Sequence, residues 1–260
     1  MGFLRQFVLA LLLLSPSAAA AGGFPAEVLY SAGRVVSSPA RISKADLPAI
    51  GALAAGGLAV YSLDGQLRRA FLRSRSQLND EISKNAEKLG NGGYDAAIVA
   101  AYGGLGLLLK DPSMQETSLL AAESFLAANA AGTLLKYSSG RARPYAGDGK
   151  SRFTPFRFKT ARTSFPSGHT VSAFSVASVF AARSGSRAVK GLAYALASSV
   201  ALQRVYADKH WASDVLAGAV IGTAVGRWVA ARKEKSGPPS ALLLPVYSPD
   251  YAGAAAVFSF

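Results

Sequence analysis

The chain has 260 residues and half of them are hydrophobic, which is enough for one compact domain with a sizeable core. Its 28 Lys and Arg against 15 Asp and Glu give a formal net charge of +13. Such a charge attracts anions, whether nucleic acid, anionic lipid headgroups or phosphate esters. Cysteine is absent, and the two histidines are His169 and His210. Disulfides, Cys-based sites and a His-rich metal centre are therefore excluded, and we expect no metal and no cofactor.

The N-terminus has the organisation of a secretory signal peptide, which we assign to residues 1–21. Arg5 supplies the positive charge, residues 7–14 are apolar, and Pro16 breaks the apolar run before the small residues 18–21. An uncleaved membrane anchor is the alternative. The short apolar run, followed closely by alanines, favours cleavage. We therefore expect export to the periplasm or cell envelope.

Residues 22–45 lack a clear periodicity and are predicted to be an irregular lead-in. Beyond them, residues 46–235 are predicted to form the main domain, an all-α bundle with a six-helix core. Its helices are indicated by six stretches rich in Ala, Leu and Gly, separated by turn signals. Their uncharged cores are residues 47–63, 96–109, 124–135, 170–182, 191–203 and 215–226.

The length of these runs bears on whether the helices cross a membrane. The uncharged cores are 12 to 17 residues long, whereas a membrane span needs about 20 apolar residues. Such lengths favour buried helices of a soluble or peripheral bundle. The alternative is an integral membrane protein with six spans, for which residues 47–63 are the best candidate.

Two further segments flank the helical core. Residues 64–89 carry several Arg and Lys residues, with Leu67, Phe71 and Leu78 at roughly helical spacing. They are predicted to form an amphipathic surface helix, with contact to anionic lipid as the alternative. Residues 236–260 are predicted to form a small β tail, because residues 242–247 and 254–260 flank the turn-forming sequence Ser-Pro-Asp-Tyr-Ala-Gly.

Two loops next to the predicted helices suit an anionic ligand. Lys136 and Arg143-Pro144 follow the third apolar stretch, and a guanidinium matches the geometry of phosphate oxygens. Ser167-Gly168 opens the fourth stretch, where the N–H groups of a helix start attract anions. Each feature alone is weak, since basic loops and helix caps are common.

A third segment joins the fifth and sixth stretches and contains Arg204, His210 and Asp214. If a helix begins near His210, the spacing of four places the carboxylate of Asp214 on the same face, where it can orient the imidazole. This arrangement is typical of a nucleophile or base with a supporting acid. Both histidines of the chain fall in these loops, so we expect the three segments to converge on one pocket.

The motifs Lys-x6-Arg-Pro, Pro-Ser-Gly-His and Arg-x5-His-x3-Asp occur in this order between residues 136 and 214. Their combination resembles the three-part signature of the type 2 phosphatidic acid phosphatase superfamily. That superfamily includes bacterial class A acid phosphatases and vanadium haloperoxidases. One position departs, because Gln203 precedes Arg204 where the third motif usually begins with Ser.

The resemblance implies a role for each motif residue. His210 would attack phosphorus with Asp214 holding its ring, and His169 would protonate the leaving oxygen. Phosphoryl oxygens would be held by Lys136, Arg143, Ser167, Gly168 and Arg204. Fixed cations and backbone dipoles would then do what Mg²⁺ does in other phosphoryl transfer enzymes, so no metal would be needed.

We therefore expect a metal-independent phosphatase that cleaves phosphate monoesters or diphosphates through a phosphohistidine. The apolar helices and basic flanks favour a phosphorylated lipid, with an anionic membrane surface as a further partner. A nonspecific periplasmic acid phosphatase acting on soluble esters, and a vanadium haloperoxidase, are the alternatives within the superfamily. A basic binding protein without catalysis is a further alternative. Nucleic acid is not expected as a partner, because no DNA- or RNA-binding motif is recognisable.

Overall fold

The computed structural model describes residues 23–89, 92–157, 159–233, 241–248 and 251–258. The predicted signal peptide lies outside these ranges. Within them the chain forms eight α-helices and one β-hairpin. The helices are α1 (Gly23–Val36), α2 (Leu47–Arg73), α3 (Gln77–Leu89), α4 (Gly92–Leu108), α5 (Pro112–Ser139), α6 (Gly168–Arg183), α7 (Arg187–Tyr206) and α8 (Ala212–Lys233).

The predicted six-helix core is confirmed, because the six apolar stretches lie in α2, α4, α5, α6, α7 and α8. The tail is also a hairpin in its described part. Strand β1 (Ala241–Ser248) pairs antiparallel with β2 (Tyr251–Phe258), with Ala241 opposite Phe258. The fold is thus an all-α bundle followed by a two-stranded β-hairpin.

The lead-in is not irregular as predicted, since it contains helix α1. Phe24, Val28, Ala32 and Val35 recur at helical spacing and pack against the main hydrophobic core. The hydroxyl of Ser31 is fully buried and donates a hydrogen bond to the carboxylate of Glu123 on α5. Tertiary packing therefore stabilises a helix in which Gly, Ser and Pro residues lower the local helix propensity.

The predicted amphipathic helix over residues 64–89 is divided between two helices. Its first part continues α2 as far as Arg73, and α3 begins separately at Gln77. Between them the Ser76 hydroxyl accepts a hydrogen bond from the backbone N–H of Asn79 at 3.2 Å. Such a serine caps the start of a helix, which explains the new beginning at this point.

Helices α4 to α8 place all three motifs at one end of the bundle. Gly92 lies against Phe125 and Gly106 lies against Met114, so α4 and α5 are antiparallel. Neighbouring pairs at the interfaces show that α6 runs antiparallel to α5 and α7, and parallel to α8. The C-terminal ends of α5 and α7 therefore meet the N-terminal ends of α6 and α8.

A row of glycines on α8 allows close contact with α6. A Cβ atom built on Gly222 would lie 2.5 Å from the carbonyl oxygen of Val171, and one on Gly226 would lie 2.5 Å from that of Ser175. A Cβ atom built on Gly218 would lie 2.8 Å from the carbonyl oxygen of Ser167. Side chains of any size would separate the two helices, so these glycines set the spacing on which the site depends.

Three described helices are long and apolar enough to cross a membrane, on length and composition. They are the segments Lys44–Arg73, Pro112–Ser139 and Ala212–Arg232, which contain α2, α5 and most of α8. None of the residues in the most apolar window of α2 is buried by the rest of the protein. Counting only uncharged residues underestimated these helices, because the uncharged runs are interrupted by Asp64, Glu123 and Arg227, which lie inside α2, α5 and α8.

Replacing Gly222 by Ala is expected to lower the free energy of unfolding by about 2 kcal/mol, since the new methyl group meets backbone on α6. Gly191→Ala on α7 is the matched control, because a Cβ atom there meets nothing within 4 Å. That control should stabilise the protein by up to about 1 kcal/mol through helix propensity. Thermal unfolding in detergent measures both, and equal effects of the two substitutions would contradict the close packing.

Candidate active site

His210 lies in the short connection between α7 and α8. The backbone N–H groups of Lys209 and His210 both donate to the carbonyl of Arg204, and Asp208 adopts a left-handed conformation with φ of 58°. This turn buries the imidazole, which is 3% exposed. Its Nδ1 lies 2.6 Å from the carbonyl oxygen of Ser164. A carbonyl only accepts, so Nδ1 carries the proton and Nε2 keeps a free lone pair.

Cations surround this imidazole and affect its protonation. Burial lowers the pKa of His210 well below its ordinary value of 6.5, and the nearby charges of Lys136 and Arg143 lower the pKa further, with a smaller contribution from Arg204. The hydrogen bond to Ser164 acts in the opposite direction. The imidazole is therefore neutral at physiological pH, which is the form that acts as a nucleophile.

The three predicted phosphate-binding cations are held from different elements. Lys136 Nζ, near the end of α5, donates to the carbonyls of Thr163 at 3.1 Å and Pro166 at 2.8 Å. Arg143 donates through one terminal nitrogen to the Thr163 hydroxyl at 3.3 Å. The Nε groups of Arg143 and Arg204 are buried without a hydrogen-bond partner among the described residues. Buried donors without partners are rare, and these suit an anion that enters the site.

The second motif forms the N-terminal end of α6. Ser167 is the residue before the helix, and its backbone N–H donates to the carbonyl of Asp214 at 3.1 Å. The Ser167 hydroxyl is fully buried and accepts from Thr170 at 2.9 Å. A Cβ atom on Gly168 would lie 3.9 Å from Lys136 Nζ, so the first turn of α6 adjoins this cation. His169 is half-buried in that turn, within electrostatic reach of Arg204.

The expected direct contact between His210 and Asp214 is not present. Asp214 Oδ2 lies 3.9 Å from His210 Nδ1, which is too long for a hydrogen bond. Helix α8 begins at Ala212, so His210 lies outside the helix and the spacing of four does not place both residues on one helical face. Asp214 instead accepts the Ser164 hydroxyl at 2.5 Å, and it therefore acts on the imidazole through Ser164.

Arg141 is a central residue of the site that the sequence did not single out. It is 1% exposed and donates to Asp214 Oδ1 at 2.5 Å and to Asp64 Oδ2 at 2.7 Å. It also donates to the Ser213 hydroxyl at 2.8 Å. The rings of Tyr61, Phe153 and Trp211 surround its guanidinium at 4.9, 5.6 and 5.7 Å.

Asp64 was missed for a different reason, since it lies more than 70 residues from the nearest motif. It is fully buried although most of α2 is exposed. Its carboxylate accepts both the backbone N–H and the hydroxyl of Ser213, at 2.9 and 2.6 Å, in the first turn of α8. Asp64 is the lone acid of helix α2, and this isolation in an apolar segment is the signal that could have identified it.

Helix α3 contacts the third motif through a polar stripe. Glu87 accepts from Arg204 at 3.0 Å, Asp80 accepts from the Tyr206 hydroxyl at 2.6 Å, and Ser83 lies 3.3 Å from Gln203 Nε2. The residue that departs from the superfamily signature, Gln203, is therefore accommodated by α3. Glu87 is half-exposed and balances the charge of Arg204 at the edge of the pocket.

Comparison with known proteins agrees with the fold and the motifs. The model of the PAP2 superfamily matches residues 117–237. A lipid A 1-phosphatase of Porphyromonas gingivalis is 44% identical over 95 residues, which cover 35% of this chain. The match spans only 18% of that relative's length.

Two solved structures share the architecture. One is a transmembrane PAP2-type phosphatidylglycerolphosphate phosphatase from Bacillus subtilis, with a TM-score of 0.54 and 22% identity, covering 71% of this chain and 95% of that one. The other is Aquifex aeolicus LpxE, with a TM-score of 0.52 and 22% identity, covering 64% of this chain and 93% of that one.

These findings do not support the prediction of a soluble or peripheral exported domain. The B. subtilis structure is described as transmembrane, and three helices here have the length and composition of spans. The alternative of an integral membrane protein fits them better. Fold, motif order and the family match agree with the resemblance seen in the sequence, and the match to the PAP2 superfamily covers residues 117–237, which contain all three motifs.

Proposed function

We propose that the protein is a phosphatase that hydrolyses phosphate monoesters or diphosphates of membrane lipids, without a metal ion, through a phosphohistidine on His210. The observation that carries the proposal is the state of this imidazole. Its Nδ1 proton is held by Ser164, its Nε2 is unprotonated, and Lys136, Arg143 and Arg204 lie close enough to lower its pKa. A neutral nucleophile next to fixed cations suits attack on a phosphoryl group.

In the first step, the Nε2 lone pair of His210 forms a bond to phosphorus while the bond to the leaving oxygen breaks. The proton on Nδ1 stays on the ring and is donated to the carbonyl oxygen of Ser164, which stabilises the positive charge of the phosphorylated imidazole. Burial and the nearby charge of Arg204 lower the pKa of His169 to about 4. A bound phosphate offsets the nearby cations, so that His169 takes up a proton with the substrate and gives it to the leaving oxygen. The three cations and the first turn of α6 neutralise the charge on the phosphoryl oxygens.

In the second step, water attacks the phosphohistidine on the side opposite His210. His169, now neutral, takes a proton from this water, so the same residue acts as acid and then as base. The bond from phosphorus to Nε2 breaks and inorganic phosphate is released. The imidazole returns to its starting form with Nδ1 still bonded to Ser164.

A lipid phosphate is the substrate class that the comparisons favour. The relative from P. gingivalis is named for lipid A, and the B. subtilis structure is named for phosphatidylglycerolphosphate. We infer that α2, α5 and α8 embed the protein in a membrane, which brings the motif end of the bundle to lipid headgroups. A soluble ester as the main substrate would not need such helices.

Phosphate release from a panel of lipid and soluble phosphates, measured on detergent-purified protein with EDTA, tests this function. We expect turnover of at least one lipid phosphate in EDTA and complete loss in His210→Ala. Lys209→Ala is the matched control, because this neighbouring side chain is exposed. Near-parent activity of His210→Ala would disprove the mechanism, and activity restored only by Mg²⁺ would disprove metal independence.

The lowered pKa of His210 predicts an unusual pH profile. Because the folded state favours the unprotonated ring, kcat/KM should not fall as the pH drops through 6.5, and its acid limb should lie below that value. Lys136→Met removes one cation that lowers this pKa, so the acid limb should move to higher pH. Lys209→Met serves as the control. An acid limb at the same pH in all three proteins would contradict the role of Lys136.

The buried network around Arg141 positions the nucleophile on the Nδ1 side of its ring, through Ser164. Asp214 binds both Arg141 and the Ser164 hydroxyl, and the Ser164 carbonyl holds the imidazole. Asp64 shares the same guanidinium and fixes the start of α8. Because two carboxylates share one buried guanidinium, none of these side chains can move independently. We therefore expect a substitution at Asp64 to alter the position of His210.

Asp64→Asn is therefore expected to reduce both stability and kcat, because it leaves a buried charge pair incomplete. The loss of unfolding free energy should be about 3 kcal/mol, with a fall in kcat that exceeds any change in KM. Asp148→Asn is the control, because Asp148 pairs with Arg162 and its side chain is 39% exposed. Thermal unfolding measures the stability and steady-state kinetics measure kcat and KM. If Asp64→Asn has the stability and kcat of the parent, the network does not position the site.

A further inference from the structure

An apolar groove outside the catalytic pocket opens between α4, α6 and α7. Its volume is about 240 Å³. Its outer edge is formed by large apolar side chains that are exposed to the surroundings, with exposed fractions of 46% for Ile98, 61% for Leu192 and 43% for Leu196. Its floor consists of small or medium apolar side chains such as Ala173, Ala177 and Val200.

The groove begins next to the catalytic residues. Ala173 follows His169 by four residues on α6, and Val200 precedes Arg204 by four on α7. One helical turn, about 5 Å, therefore separates the groove from the catalytic pocket. From Ala173 the groove extends to Phe180, about 10 Å further along α6. A molecule whose phosphate lies at His210 can thus continue into this groove.

One polar side chain that lines the groove, Asp95, has a carboxyl oxygen without a hydrogen-bond partner among the described residues. Asp95, in the first turn of α4, lines the groove although it is only 5% exposed. The unpartnered oxygen is Oδ2, which is buried. Because Tyr102 contacts Phe180 and α4 runs parallel to α6, Asp95 lies at the end nearer the catalytic residues. Burial raises the pKa of Asp95 to about 7, so its carboxyl can donate or accept a hydrogen bond near neutral pH. A buried carboxyl oxygen without a partner indicates that a ligand supplies one.

We propose, building on the proposed function, that this groove binds a hydrocarbon chain of the lipid phosphate substrate. Its apolar walls match a chain, its open edge faces the surroundings from which a membrane lipid arrives, and its inner end adjoins the site of phosphoryl transfer. Asp95 forms a hydrogen bond with a hydroxyl on that chain near its phosphate end. The substrate is thus a lipid phosphate whose chain carries a hydroxyl.

Binding of alkylphosphonates, which are not hydrolysed, tests the groove without requiring turnover. We expect lengthening the chain from 4 to 12 carbons to tighten binding by at least about tenfold, because added CH₂ groups leave water. Ala193→Phe fills the groove and should abolish this gain. Ala195→Phe on the exposed side of the same helix is the matched control and should keep it. An equal gain in both variants would overturn the proposal.

If Ala193→Phe fails to fold, Ala193→Leu tests the same wall with a smaller side chain. It should reduce the gain from chain length at least threefold, while thermal unfolding and binding of the 4-carbon phosphonate stay as in the parent. An unchanged gain in a folded Ala193→Leu protein would also overturn the proposal.

The role of Asp95 is tested with 12-carbon phosphonates that carry a hydroxyl at carbon 2, 3, 4 or 5. At least one of them should bind the parent about tenfold more tightly than the unsubstituted chain, since its hydroxyl gives the unpartnered Asp95 oxygen a hydrogen bond. Asp95→Leu should remove this preference and bind the unsubstituted chain at least as well as the parent does. No preference at any position would overturn the role of Asp95.

These measurements separate the groove from the proposed function. Chain-length-dependent binding without turnover of any phosphate in the panel would refute the phosphatase activity and retain the groove. Turnover of lipid phosphates without any gain from chain length in binding would refute the groove and retain the activity.

Discussion

The guanidinium of Arg141 holds four parts of the chain together in a place that solvent does not reach. It bonds Asp64 from α2 and Asp214 from α8, it comes from the first motif itself, and it reaches the second motif through Ser164. A buried charge is costly unless its partners satisfy it, so the folded state tolerates little displacement of any member. The aromatic rings of Tyr61, Phe153 and Trp211 complete its enclosure.

This network explains how a loop residue can be held in a fixed orientation, as the proposed nucleophile requires. His210 is on neither α7 nor α8, and within the described residues its ring is oriented by the hydrogen bond to the Ser164 carbonyl. Ser164 is in turn fixed by Asp214, and Asp214 by Arg141. The cations proposed to bind phosphate are distinct from Arg141. Lys136 is anchored to backbone carbonyls, whereas Arg143 and Arg204 each keep a buried Nε without a protein partner. Arg141 and its two carboxylates thus stabilise the fold, whereas Lys136, Arg143 and Arg204 are the charges that suit a phosphate.

The same separation runs along the bundle. The motif end carries the cations that suit a phosphate, and the middle parts of α4, α6 and α7 present apolar side chains to the surroundings and to the groove. Close contact of α6 with α8 through Gly218, Gly222 and Gly226 gives this end a fixed geometry, since the backbones leave no room for adjustment. A headgroup site with an adjoining apolar groove is the arrangement that a lipid phosphate requires.

The sequence by itself determined the helical class, the core helices and the residues that suit a phosphate. Ala- and Leu-rich runs specify helices locally, and the three motifs are short segments whose chemistry is readable residue by residue. It did not determine α1, whose weak local propensity is overcome by packing of Phe24 and Val28. It also gave the wrong partner for His210, because a spacing of four implies a contact only within one helix and α8 begins at Ala212. Only the tertiary structure decided that Ser164 holds the imidazole and that Asp64 and Arg141 hold the loops, because these contacts join residues 46 to 149 positions apart.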